Sequence, residues 1–159
     1  MIPVNLILAL REEIEEAVKD YRLKVEALED AEKRKPVAVY AQHIPDEDFE
    51  NDTYYPLIIV SLQKIDDAAE GDDAGVSTAT VGLTFGVYGE DREAWRDLLN
   101  IMEHVRQRIM EQRIINERHR LVLPAKWETI EAQPYPFWFG YGTLKYSIGR
   151  PAEMIGGIL

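Results

Sequence analysis

The chain has 159 residues, 46% of them apolar and 9% aromatic, the composition of one globular domain and not of a disordered segment. It contains no cysteine, which excludes a disulfide framework, a thiol nucleophile and any cysteine-ligated metal. Eighteen Lys and Arg stand against 29 Asp and Glu, a net charge of −11, which is a poor balance for a protein that must neutralise phosphates. The opening Met1-Ile2-Pro3-Val4-Asn5-Leu6-Ile7-Leu8 lacks the cationic flank and cleavage site of a secretory signal. No apolar run approaches the roughly 20 residues of a membrane span. A soluble protein of a reducing compartment is therefore expected.

In chain order, Ile7, Leu10, Ile14, Ala17, Tyr21, Val25 and Leu28 recur at steps of three and four. This spacing predicts a helix from Pro3 to Ala27 or Glu29 with one apolar stripe, ending before Pro36. A strand is expected over Val37–Ala41, followed by an acidic loop over 43–52. Leu57–Leu62 is apolar on both alternations, as in a central strand covered on two faces. A second acidic loop spans 66–73. Next comes the clearest strand, in which Ala79, Val81, Leu83, Phe85 and Val87 alternate with Thr and Gly. Period two predicts that this apolar face lies under the helices. Both acidic loops are expected to be exposed, because unpaired charge of that density is not buried.

Asp91 is the expected N-cap of a second helix, with Trp95, Leu98, Met102, Val105 and Ile109 as its stripe and its end near Arg113. Short strands at Leu121–Leu123 and Trp127–Ile130, a Pro-Tyr-Pro corner at 134–136 and a long strand over Phe137–Ile148 complete the pattern. The fold class read from this order, α-β-β-β-α-β-β, is α+β: a mixed, largely antiparallel sheet with two long helices packed against it. Residues 1–150 are read as a single domain and 151–159 as an apolar C-terminal tail.

Motifs for chemistry are weak. Asp66, Asp67, Glu70, Asp72 and Asp73 lack the ligand spacing of a calcium loop and read better as solvated turn residues. His43, His104 and His119 contain no helical pair for zinc. Ser61, Ser77 and Ser147 fall in strands without a nucleophile elbow. Gly140-Tyr141-Gly142 is followed by no helix, so it marks close packing or a bend and not a phosphate loop. The aromatic run Tyr135, Phe137, Trp138, Phe139, Tyr141 and Tyr146 has only Lys145 interleaved, which disfavours base stacking against a nucleic acid. No catalytic residue, cofactor site or metal site is assigned.

Charge is distributed unevenly. Residues 1–90 hold 20 acids and 8 bases, and residues 91–159 hold 9 acids and 10 bases. Arg106, Arg108, Arg113, Arg118 and Arg120 carry much of the basic share. Complementary fields of this kind can orient one copy against another; the alternative is that both sets are simply solvated faces. The subunit-interface candidates are Arg106, Arg113, Arg118 and Arg120 on the cationic side and Asp66, Asp67, Asp72 and Asp73 on the anionic side. Arg108, offset by about 200° from Arg106 at 100° per residue, is the expected bystander.

Several segments together resemble one family. They are Tyr55-Pro56-Leu57-Ile58-Ile59-Val60, Phe85-Gly86-Val87-Tyr88-Gly89, Leu98-Leu99-Asn100-Ile101-Met102-Glu103-His104-Val105-Arg106-Gln107, Trp127-Glu128, and Gln133-Pro134-Tyr135-Pro136-Phe137-Trp138-Phe139-Gly140. In that order they resemble the small tail-terminator proteins of tailed bacteriophages and prophages, the lambda-like type. The resemblance implies an α/β fold and a non-enzymatic virion protein, assembled in the bacterial host cytoplasm. It implies a hexameric ring that caps the tail tube and offers a surface to the head. The implied partners are further copies of the chain, the tail tube protein and head–tail connector or neck proteins, with DNA passing through the lumen, no membrane and no cofactor. Another neck or head–tail joining protein is the first alternative, and a small cytosolic enzyme or ligand-binding domain is the second. The segments are packing and turn signatures, so no residue role is carried over from the family.

Overall fold

In the computed structural model of the protein, residues 2–21, 35–67 and 76–149 are described. The elements are α1 (Ile2–Val18), β1 (Ala38–Ala41), β2 (Leu57–Asp67), β3 (Val76–Tyr88), α2 (Trp95–Glu111), β4 (Ile114–Ile115), β5 (His119–Thr129) and β6 (Phe137–Gly149). A short 3-10 turn, Asp52–Tyr54, precedes β2. The six strands form one sheet in the order β1-β2-β3-β6-β5-β4. Only the β1–β2 pair is parallel; the other pairs are antiparallel. The architecture is α+β, with both helices on one face of the sheet.

The period-two reading of β3 holds residue by residue. Ala79, Val81, Leu83, Phe85 and Val87 are all buried and join Leu6, Leu10 and Ile14 of α1 and Leu98, Ile101 and Val105 of α2 in the main core. The double-sided character of Leu57–Val60 is also real. Ile58 and Val60 enter that core, whereas Leu57 and Ile59 point to the opposite face. There they pack with Ile44 and Tyr55, flanked by Tyr40, Tyr54, Tyr88, Phe137 and Phe139, into a second, smaller cluster.

Glycines on the sheet are sites of close approach. A Cβ at Gly140 would lie 2.4 Å from Met102 Sδ, so the end of the Met102 side chain of α2 rests directly on the β6 backbone there. On the other face, a Cβ at Gly86 would lie 2.7 Å from the Tyr55 ring.

Four expectations are corrected. The first helix ends at Val18, with Lys19 and Asp20 in a turn, although Tyr21 continues the buried stripe. The Tyr21 hydroxyl donates to Asp97 Oδ1 at 3.0 Å, and this tie to the start of α2 accompanies the end of the helix. Val25 and Leu28 lie outside the described residues, as do the 68–73 portion of the second acidic loop and the tail. Asp91 does not cap α2. Its carboxylate accepts from Glu93 N at 2.9 Å in the turn before the helix, and Ala94 occupies the cap position. Trp95 is 43% exposed and not part of the stripe. The inward position belongs to Ala94, whose Cβ would stand 2.6 Å from a Cβ at Gly89, so only a small residue fits there. Lastly, Leu121–Leu123 and Trp127–Thr129 are one strand, β5, with an irregular register between Val122 and Lys126 around Pro124. β4 and α2's end at Glu111 were also not anticipated.

Candidate assembly surface

α1 and α2 run antiparallel across the sheet, tied near the start of α2 by Tyr21–Asp97 and near its end by an ion pair. Arg108 Nε donates to Glu13 Oε2 at 2.8 Å, with about a third of each side chain exposed. Arg108 is thus engaged between the helices of its own chain. Arg106 is exposed and pairs with Glu103 at 3.1 Å, one turn earlier on α2.

The three later arginines stand differently. After α2 the chain passes Arg113 into β4 and turns at Asn116-Glu117, both with positive φ (53° and 59°). Arg118 N donates to Ile115 O at 3.1 Å, closing the tight turn of a hairpin whose three-residue connection is 116–118. Arg120 pairs with Ile114 across the ladder, and Leu121 N donates to Arg113 O at 2.7 Å. The hairpin therefore gathers Arg113, Arg118 and Arg120 at the β4 edge, all exposed. Among the described residues none of the three takes part in an ion pair. Arg113 Nε donates to Met110 O at 3.1 Å, which fixes the base of its guanidinium. Met110, Glu111, Gln112, Arg113, Ile114 and Arg120 line an open groove of about 410 Å³, in which Ile114 is 48% exposed.

On the anionic side, Asp66 and Asp67 end β2 and are exposed. Asp66 pairs with Lys64 at 3.4 Å, and Asp67 accepts from the Ser77 hydroxyl. Asp72 and Asp73 lie outside the described residues. The β2 acids and the arginine group share one end of the sheet, because Asp67 is aligned with Ser77, Ser77 with Ile148, and His119 Nδ1 lies 3.1 Å from Ser147 O.

The first acidic loop is the feature that sequence reasoning undervalued. It covers the second cluster on the face away from the helices, anchored by buried Ile44. Asp46 accepts from the Tyr54 hydroxyl, Tyr55 Oη donates to Phe49 O at 2.8 Å, and Glu50 N donates to Asp48 Oδ1 at 3.1 Å. Asn51 Oδ1 caps the 3-10 turn at Thr53 N, 3.1 Å away. Acceptance by Asp46 pushes the Tyr54 phenol up to about 12, and burial does the same for Tyr55. At the outer surface of this pinned loop Phe49 is 43% exposed. In the sequence its one sign is an aromatic, Phe49, set among five acids.

The aromatic run of β6 divides between the two faces and makes no single stacking platform. Phe137 and Phe139 join the second cluster, Trp138 and Tyr146 enter the main core, and Tyr135 and Tyr141 remain exposed. His119 is buried, whereas His43 and His104 are exposed. Among the described residues no group of three His, Asp or Glu converges as metal ligands, and no helix is long and apolar enough to cross a membrane.

No family model and no curated protein matches the chain. Among solved structures, one chain of "Virion of native gene transfer agent (GTA) particle" aligns with 91% of this chain and 98% of its own, at 15% identity and a TM-score of 0.39. A likeness of that size carries no argument about what this chain does.

Proposed function

We propose that the chain is a structural subunit of a phage-type virion, a tail terminator whose copies close into a ring on the end of the tail tube. The reading begins from the segment resemblance between Tyr55 and Gly140. The observation that carries it is the placement of charge: arginines without ion pairs among the described residues at the β4 edge, and an acidic loop that leaves β1 at the other edge and covers the face away from the helices. Five strand steps separate these edges, about 24 Å at 4.8 Å per step. Surfaces so placed do not meet within one chain and suit a head-to-tail contact between copies, which produces a ring when the rotation closes. Six copies is the number the family resemblance implies. A net charge of −11 also suits a lumen through which DNA passes without adhering.

In this reading the tube protein and a neck or connector protein meet the two ends of the ring, and the chain performs no catalysis. Electron microscopy of the purified chain, alone and with polymerising tube protein, tests it. Discrete rings that shorten the tubes are expected. Rings that leave tube length unchanged would favour a neck position, and a chain without rings would contradict the proposal.

A further inference from the structure

We propose that Phe49 at the tip of the acidic loop docks in the groove beside Ile114 on a second copy, with Arg113 and Arg120 meeting the loop's carboxylates. The inference rests on the self-assembly reading above and names the surfaces through which it occurs.

Three observations converge on this pairing. The first is an exposed aromatic on a loop already ordered by the Tyr55–Phe49, Asp48–Glu50 and Tyr54–Asp46 contacts. Such preorganisation removes much of the ordering cost of association, and large aromatics in fitted pockets dominate interface energetics. The second is charge: residues 46–52 carry five acids and no base. None of these acids forms an ion pair among the described residues. The side chains of Glu47 and Glu50 make no bond within the described part at all. Opposite them are three arginines equally without ion pairs, with Glu111 and Glu117 the only acids in the same stretch. Among the described residues the other candidate charges are already engaged, Arg106 by Glu103, Arg108 by Glu13, Asp66 by Lys64 and Asp67 by the Ser77 hydroxyl; Asp72 and Asp73 lie outside them. The third is shape. The groove holds about 410 Å³ and offers Met110 and half-exposed Ile114 as apolar walls. Arg113 and Arg120 line it as well, beside one acid, Glu111, so an aromatic flanked by carboxylates matches it in polarity.

The absence of cysteine provides a direct test. The full chain carrying both Phe49→Cys and Ile114→Cys, oxidised under mild conditions, should give a ladder of disulfide-linked oligomers on a non-reducing gel. Each single variant should stop at dimers. In parallel, Phe49→Ala should raise the dissociation constant for self-association at least about tenfold, as expected for a central aromatic anchor. Glu47→Arg with Glu50→Arg should weaken assembly, and adding Arg113→Glu with Arg120→Glu should restore it. All four positions are exposed, and circular dichroism confirms that each variant folds. If the wild-type chain assembles while the folded double-cysteine variant gives no ladder and Phe49→Ala associates normally, the docking is wrong and the ring reading survives. If the wild-type chain stays monomeric, both fail together.

Discussion

The two faces of the sheet are covered by different means. On the helix face, regular elements with 3.6 and 2.0 periodicities bury one contiguous core against β3 and β6. On the opposite face, an irregular loop of about a dozen residues is held by tyrosine hydroxyls, an Asx turn and a handful of aromatic contacts. The first arrangement gains its stability from area and packing. The second gains shape, since hydroxyls and caps fix the backbone from which Phe49 and the carboxylates project. The assembly proposed above would draw on the second kind of order, supported by the first.

The contrast can be broken from the helix side first. Phe85→Ala removes a fully buried ring from the helix-facing side of β3 and should cost about 3–5 kcal/mol in a denaturant melt. A loss below about 1 kcal/mol would show that the face under the helices is not the main source of stability. On the loop side, Tyr55→Ala should cost less, about 2–4 kcal/mol, because its cluster is smaller and its cover can relax. Hydrogen exchange should show the loss confined to residues near the loop, with β3 amides still protected. Tyr55→Phe sharpens the point. It deletes only the hydrogen bond to Phe49 O and should cost about 0.5–1.5 kcal/mol while loosening the loop.

A pH titration separates the same regions. Burial, with the Asp97 charge as the next cause, raises the Tyr21 phenol on the helix side. The Asp46 carboxylate raises Tyr54 to about 12 on the loop side. In both cases the folded chain prefers the neutral phenol. That contribution to stability is complete below the unfolded value near 10 and is lost as pH rises through the folded values. Phenolate absorbance followed with circular dichroism should therefore show ionisation delayed beyond pH 10, with melting stability falling above it. Phenols that all titrate near pH 10 in the folded chain would contradict these contacts. The smallest effect is expected at the Glu13–Arg108 pair. It is about a third exposed, and Glu13→Gln should cost only about 0.5–1 kcal/mol.

How much was legible follows the same division. The buried face of β3 could be read from sequence because each inward residue is two away from the next. The second cluster could not, because Tyr40, Ile44, the Tyr55–Leu57–Ile59 set and Phe137 come from separate segments that no common period links. Leu57–Leu62 hinted at it by being apolar on both alternations. The arginine density near α2 was visible in the sequence, but which arginines are spoken for was not. The partner of Arg108 lies on the first helix, 95 residues earlier. Trp95 misled for a local reason, since the Gly89–Ala94 contact decides which residue turns inward at the start of α2.

Native mass spectrometry of the purified full chain at micromolar concentration, in low and high salt, tests the central claim most directly. Head-to-tail closure through charged edges predicts one discrete oligomer, six copies of the 18.3 kDa chain if the family resemblance holds. It also predicts that this oligomer dissociates as salt rises. A monomer at every salt concentration, or a symmetric dimer that salt does not touch, would contradict it.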